Sequence, residues 1–379
     1  MRVAFYAPLK PPDWPIPSGD RLLARMFLEA LARAGHDALV ASRLRSFDKS
    51  GDRARQDKIR TIGATLADHL VRRYMAAPQN RRPELWFTYH LYHKAPDWIG
   101  PTVSQALAIP YVAAEASFAA KRARGPWSDG HEAVRCALGV ADLVIGLNST
   151  DEAGVRTVLR SSAQFVQMGA FLDCAPFAAA ARKGPKLKRS LAAGFGLESA
   201  RPLLLTAAMM RSGNKLASFQ VLAHALACIE HHDWHLLIAG SGPAEHEVRE
   251  VFAPLRHRVT WLGQLPRAQL VDAYAAADLF VWPAVDEPIG MAFIEAQAAA
   301  TPVIGGCARG VPDVVDDGTT GLLTPEGDAV AFAEAITMLL GDRARLRAMG
   351  ATACQYAASR HDIAPAAKKL SNRLEALVE

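Results

Sequence analysis

Two glutamates, Glu287 and Glu295, stand eight residues apart in the stretch EPIGMAFIEAQAAATP. On a helix that spacing is roughly two turns, on the order of 10 Å. One carboxylate precedes the helix FIEAQAAA and the other lies within it. Gly290 sits at the helix start, where free N–H groups and the positive end of the helix dipole suit a pyrophosphate. A carboxylate on either side of a diphosphate can grip hydroxyl groups, a sugar ring at one end and a ribose at the other. Spacing alone also fits an ordinary surface pair, and both readings stand at this point. Gly240 and Gly242, in IAGSGP, allow a backbone to approach a ligand closely. His231, His232 and His235, in HHDWH, are of a metal-binding type, but they precede a strand on the side away from the expected ligand end. They are expected to be surface histidines. No acidic pair of the kind that holds a cation stands at a strand end, so no metal is expected.

These residues need elements to carry them. RVAFYAPL reads as a first strand, and LLARMFLEALARAGH as a helix with Leu23, Phe27, Ala30 and Leu31 at helical spacing. DALVAS, ELWFTYH, PYVAAEAS and DLVIGLN continue the strands. The small, basic stretch around residues 175–200 reads as a linker. A second set follows it: PLLLTAAM, WHLLIAG, RVTWLG, DLFVWP, PVIGG and GLLTP. The last helix, from about Asp362, carries Ala366, Leu370, Leu374 and Leu377 on one face. Strands alternating with helices predict parallel sheets covered on both faces. In such sheets ligands gather at the carboxyl ends of the strands, where IAGSGP and WPAVDEPIGM lie.

The bulk composition agrees. The chain has 379 residues, half of them apolar and 21% charged, enough for two domains with buried cores. Cys136, Cys174, Cys228, Cys307 and Cys354 are scattered and odd in number, which predicts a reducing cytoplasm and no disulfide scaffold. The apolar run in MRVAFYAPLK is too short for a signal-peptide core, and no stretch approaches the length of a transmembrane helix. Net charge is +5, but Lys and Arg exceed Asp and Glu by 8 in residues 1–183 and fall short by 3 beyond. Much of the excess lies between Arg53 and Arg82, where Ile59, Ile62, Leu66 and Leu70 recur at helical spacing. That helix either rests on an anionic membrane or packs on its own sheet with a solvated charged face.

The run DEPIGMAFIEAQAAATPVIGGCARGVPDVVDDGTTGLLTPEGD closely resembles the donor-site segment of the large retaining glycosyltransferase family four, the group 1 glycosyltransferases. The resemblance rests on Pro283, Glu287, Glu295, Ala296, Thr301, Pro302, Val303, Gly310, Gly321, Leu322 and Leu323 in the family's order and spacing. LIAGSGP, TWLGQLPRAQL and YAAADLFVWP match ahead of it. It is strong over roughly residues 201–345 and weaker, though consistent, before that.

The resemblance implies an α/β protein of the GT-B fold, with two Rossmann-like domains facing each other across a cleft. Residues 1–183 would bind the acceptor, residues 184–359 the donor, and the terminal helix, 360–379, would cross back to the first domain. Arg211 and Lys215 would hold the donor diphosphate, although Leu216 replaces the glycine that usually follows the lysine. Glu287 would contact the transferred sugar and Glu295 the ribose. Gly290 and Met291 would face the phosphates, Gly242 would line the donor loop and Leu265 would lie beside the base. In the first half, Gly19 of SGD takes the place of a glycine-rich loop near the phosphate. The family's histidine after a later strand falls near Glu115–Ser117, and no histidine is there. Glu115, with His90 and His93 of FTYHLYHK, is expected to line the acceptor side.

The implied reaction is metal-independent transfer, with retention, from a UDP-, GDP- or ADP-sugar to a lipid-linked or saccharide acceptor in glycolipid or cell-envelope polysaccharide synthesis. No cofactor and no nucleic-acid partner are expected, and the location is the cytoplasm or the inner face of its membrane. A nucleotide-sugar epimerase or hydrolase on the same fold, and a non-catalytic scaffold, are the alternatives. SGD lacks the glycine pattern of a dinucleotide oxidoreductase, and no segment matches the pyridoxal lysine of a glucan phosphorylase.

Overall fold

The structure is a computed structural model that describes residues 1–16 and 18–378. The chain divides into two compact units. One is Met1–Gly169 with Ile363–Glu379, and the other is Ala170–Asp362.

The first unit opens with β1 (Arg2–Tyr6), α1 (Gly19–Arg33), β2 (Asp37–Ser42) and α2 (Arg53–Ala76). It continues with β3 (Leu85–Leu91), α3 (Gly100–Leu107), β4 (Tyr111–Ala116), α4 (Ser128–Val140), β5 (Leu143–Gly146), α5 (Glu152–Arg156) and β6 (Gln164–Gln167). Its six strands run in the order β2-β1-β3-β4-β5-β6, all parallel. The central strands β3 and β4 are near-continuous buried runs, as a sheet covered on both faces requires. The sequence reading missed β6. Its four residues, QFVQ, lie at the sheet edge with an exposed glutamine at each end, too short and too polar to stand out.

The second unit contains α6 (Ala175–Ala181), α7 (Gly184–Gly194), β7 (Leu203–Ala207), α8 (Asn214–Cys228), β8 (His235–Ala239), α9 (Glu245–Val251) and β9 (Val259–Gly263). There follow α10 (Arg267–Ala276), β10 (Leu279–Trp282), α11 (Met291–Ala298), β11 (Val303–Gly306), β12 (Gly321–Thr324), α12 (Ala329–Gly341) and α13 (Arg343–Arg360). Its strands are also all parallel, in the order β12-β11-β10-β7-β8-β9. The six second-half segments read from sequence are these six strands.

The stretch around 175–200 is not a linker. It forms α6 and α7, which pack on α10 within the second unit. Phe177 meets the Tyr274 ring with centroids 6.1 Å apart, and Lys188 pairs with Asp278 at 2.6 Å. The expected boundary at 183/184 therefore falls inside this unit, because α6 covers an apolar face of α10. The last helix, α14 (Ile363–Glu375), belongs to the first unit and packs on α1 through Ile363, Ala367, Leu370 and Leu374. Among the described residues no helix is long and apolar enough to cross a membrane.

Candidate functional site

In the second unit the chain runs outward from β7 to β8 and β9, then returns to the other side of β7 with β10. The order reverses between β7 and β10. Loops leaving the carboxyl ends of two such strands diverge and open a crevice, which is where open α/β sheets bind ligands. Arg211 and Lys215 follow β7, and Glu287 follows β10.

The loop after β7 turns at Gly213, whose φ of 81° places it before the first residue of α8. Lys215 is the second residue of that helix. Its ammonium forms an ion pair with Glu287 Oε2 and lies 5.2 Å from the centre of the Trp282 ring. Trp282 Nε1 is 3.4 Å from the same carboxylate oxygen. Arg211 is half-buried in the same loop, four residues before Lys215. Neighbouring residues hold this arrangement. Asn214 Nδ2 donates to Asp286 Oδ2 at 2.7 Å, the Asp286 N–H donates to Glu326 at 2.7 Å, and Arg309 stands 3.6 Å from Asp286.

The segment after β10 is conformationally constrained. Ala284 (φ 56°), Asp286 (φ 49°) and Gly290 (φ 85°) are all left-handed. For the two non-glycine residues this is a sparsely populated region, found most often at functional sites. At Gly290 a Cβ would also stand 2.6 Å from the Phe293 ring, so only glycine fits. Gly290 caps α11 without a side-chain hydrogen bond. The first N–H groups of that helix, beginning at Met291, are those a helix leaves without an acceptor of its own.

Glu295 is placed differently from Glu287. It is 7% exposed, accepts from the Tyr274 hydroxyl at 3.0 Å and lies 3.5 Å from Arg267. Burial raises its pKa, with Arg267 and the Tyr274 hydroxyl opposing. One of its oxygens faces the Tyr274 hydroxyl and the other Arg267. Gly242 stands against the backbone of the neighbouring loop. A Cβ there would stand 2.1 Å from the Met210 carbonyl oxygen, and at Gly240 one would stand 1.9 Å from that of Ala208. Met210 N donates to Ser241 O, and Ala244 N to Met210 O, both at 3.0 Å. The close approach those glycines permit is between the β7 and β8 loops, and it fixes the backbone that carries Arg211. Leu265 is half-buried in the loop between β9 and α10.

The first unit has a reversal of its own, between β1 and β3. Ser18 caps α1 through the Arg21 N–H, and Gly19 is the first residue of the helix. Asp20 follows in the first turn, 3.6 Å from Lys10 and 3.6 Å from His90 Nδ1. A carboxylate thus stands next to Gly19 in the first turn of α1. His90, near the end of β3, lies 3.3 Å from Glu115 Oε2, near the end of β4. Burial lowers the His90 pKa, but Glu115, Asp20 and Asp151 outweigh it and raise it to about 9. The imidazole beside Glu115 comes from the neighbouring strand, a pairing that only the strand order makes visible.

His93 does not join this pair. It lines a narrow cavity with Asp48, Lys94, Trp98 and Trp127. Burial, with Arg122, Lys94 and His131 nearby, lowers its pKa to about 4, so it is neutral. His235 is not a surface residue either. It starts β8, is buried and bonds to Thr260 at 2.8 Å, whereas His231 is exposed. Among the described residues no group of three or more His, Cys, Asp or Glu is arranged to hold a metal ion.

Comparisons with known proteins address the same region. The family model "Glycosyl transferases group 1" matches residues 201–342. The D-inositol 3-phosphate glycosyltransferase of Nocardia farcinica is 44% identical over 104 residues, covering 27% of this chain and 23% of that protein. The GDP-mannose-dependent monoacylated alpha-(1-6)-phosphatidylinositol monomannoside mannosyltransferase of Corynebacterium glutamicum is 37% identical over 126 residues, covering 31% and 33%. The matches thus span about a quarter to a third of the length of these curated relatives. Among solved structures, Anabaena Alr3699/HepE in complex with UDP superposes with a TM-score of 0.77 at 17% identity, covering 100% of both chains. Sucrose-phosphate synthase from Thermosynechococcus elongatus superposes at 0.73 with 22% identity, covering 100% of this chain and 99% of that one. The fold is GT-B, with two Rossmann-like domains, and residues 201–342 of the second match the group 1 glycosyltransferase domain.

Proposed function

We propose that this protein moves a sugar, with retention and without a metal ion, from a nucleoside-diphosphate sugar to an acceptor hydroxyl. The observation that carries the reading is the pairing of Lys215 with Glu287 at the strand reversal of the second unit, with Arg211 in the same loop as Lys215 and the N-terminus of α11 following Glu287. Two cations and a helix start are suited to the charge that develops as a diphosphate departs. In this reading Arg211, Lys215 and the N–H groups at Gly290 and Met291 take the diphosphate, and Glu287 contacts the transferred sugar. The ribose lies at Glu295, and the base lies against Leu265. The bond from the sugar to the phosphate oxygen breaks, the acceptor oxygen bonds the same carbon on the same face, and its proton passes to the departing phosphate. His90 and Glu115 of the first unit bind the acceptor.

The relatives' names favour glycolipid or cell-envelope chemistry, since one is a phosphatidylinositol monomannoside mannosyltransferase. Solved neighbours include complexes with UDP and with UDP-glucose. The exposed Arg53, Arg55, Lys58, Arg60, Arg72 and Arg73 of α2 suit an anionic membrane, each charge held near it contributing about 1 kcal/mol. That would put the enzyme in the cytoplasm, at the inner face.

A panel of UDP-, GDP- and ADP-sugars tests the proposal by thermal shift and then by transfer in EDTA. A donor at about 100 times its Kd should stabilise the fold by about 2.7 kcal/mol. Turnover should persist in EDTA and be lost in Arg211→Ala. Stabilisation by no nucleotide sugar would favour a scaffold, and donor breakdown with water alone would favour a hydrolase.

A further inference from the structure

We infer that Ser218, with Asn214 and Asp286, is a positioning residue: it pins the turn after β10 to the start of α8, so that Glu287 is held toward Lys215. The inference rests on the reading above that Glu287 serves the transferred sugar, and it adds the residues that place that carboxylate.

β10 ends at Trp282, so the N–H groups beyond it need acceptors of their own. Three successive ones have them. Val285 N–H donates to Ser218 Oγ at 3.0 Å, Asp286 N–H to Glu326 Oε1 at 2.7 Å, and Glu287 N–H to the Ala284 carbonyl oxygen at 3.1 Å. Side chains of the same turn also meet α8. Asp286 Oδ2 accepts from Asn214 Nδ2 at 2.7 Å, and Glu287 pairs with Lys215. Asn214 and Ser218 are one helical turn apart, with Lys215 between them at the start of α8. Residues 285, 286 and 287 thus each hold one residue of α8, and a slip of the turn by one position breaks all three contacts.

Ser218 makes the buried contact of the three. It is 1% exposed and uses both capacities of a hydroxyl, donating to the Asn214 carbonyl oxygen at 2.8 Å while accepting from Val285. Val285 stands between two left-handed residues, Ala284 (φ 56°) and Asp286 (φ 49°). A backbone of that kind persists only where its surroundings impose it. Ser218, Asn214 and Glu326 are surroundings that do so from outside the turn. Alanine at 218 leaves the Val285 N–H without its acceptor and frees the strained turn that carries Glu287. Buried as it is, Ser218 acts on a ligand through that turn.

Hydrogen–deuterium exchange on the full chain reads the placement without any ligand. Ser218→Ala should speed amide exchange at residues 284–287 by about tenfold or more, the loss of one buried hydrogen bond, with β10 unchanged. Asn214→Asp sets two carboxylates face to face and should speed the same amides. Adding Asp286→Asn reverses the hydrogen bond and should restore them. Calorimetry with UDP-glucose, GDP-mannose and ADP-glucose, each against its nucleoside diphosphate, reads the consequence. For the pair that binds, the ratio of sugar-nucleotide to nucleotide affinity should fall about fivefold in Ser218→Ala and in Glu287→Gln, and no further in the double variant. Unchanged exchange in Ser218→Ala, or losses in the two single variants that multiply in the double one, would overturn the inference. A ratio unmoved by Glu287→Gln, or no binding by any pair, would remove the donor reading, and faster exchange in Ser218→Ala would still uphold the placement.

Discussion

Lys215 and Glu287 sit on opposite sides of the second unit's strand reversal and neutralise each other, with side chains 35% and 15% exposed. A diphosphate arriving at Lys215 has to share that cation with the carboxylate or take it away. A half-exposed pair of this kind contributes about 1 kcal/mol net, after desolvation and side-chain ordering offset most of the attraction. Replacing Glu287 by glutamine removes the competitor and a negative charge at once. Nucleoside-diphosphate binding should therefore tighten by roughly fivefold, the equivalent of about 1 kcal/mol. Lys215→Met has the opposite effect. It deletes a charge-assisted hydrogen bond worth about 1.5–3 kcal/mol and leaves Glu287 facing the phosphates, so binding should weaken by about 10- to 150-fold. Calorimetric titration of UDP, GDP and ADP into the full chain measures both effects. Sugar transfer should nevertheless fall in Glu287→Gln, because the carboxylate is assigned to the transferred sugar and not to the diphosphate. If Glu287→Gln weakened diphosphate binding as much as Lys215→Met does, the carboxylate would be holding the nucleotide itself. The division of labour between the two residues would then be wrong.

Two further outcomes can be measured on stability. The folded pKa of His90, about 9, lies above the ordinary 6.5, so its stabilisation is fully present below pH 6.5 and is lost as pH rises through about 9. The rise corresponds to at most about 3 kcal/mol, and thermal melts between pH 7 and pH 10 should show a steeper loss in the wild type than in His90→Gln; parallel curves would place the charge elsewhere. Gly242→Ala puts a Cβ against the Met210 carbonyl oxygen, and forcing such an overlap costs about 1–3 kcal/mol. The melting temperature of the second unit should drop by several degrees and nucleotide affinity should fall with it, whereas an unchanged melt would mean the β7 and β8 loops are not held together there.

The six strands of the second unit and the donor segment were legible in the sequence because each depends on local pattern. Buried parallel strands are short apolar runs, and the glycines, prolines and glutamates of residues 283–323 keep a fixed order along the chain. Sequence also singled out Arg211, Lys215 and Glu287 through the family resemblance. It could not show that Lys215 and Glu287 pair across 72 positions, or that Trp282 contacts both. Those contacts exist because β7 and β10 are neighbours, which is a property of strand order.

Strand order decided the other differences as well. His90 and Glu115 are 25 positions apart and meet because β3 and β4 run side by side, while His93, three residues after His90, turns into a different cavity. The resemblance implied a ribose at Glu295, and nothing in the local sequence showed how buried it is. The packing of α10 against α11 sets Tyr274 and Arg267 against it. Local pattern determines which residues can do chemistry. Burial, charge state and partners belong to groups brought together from distant parts of the chain, so only the tertiary structure decides them.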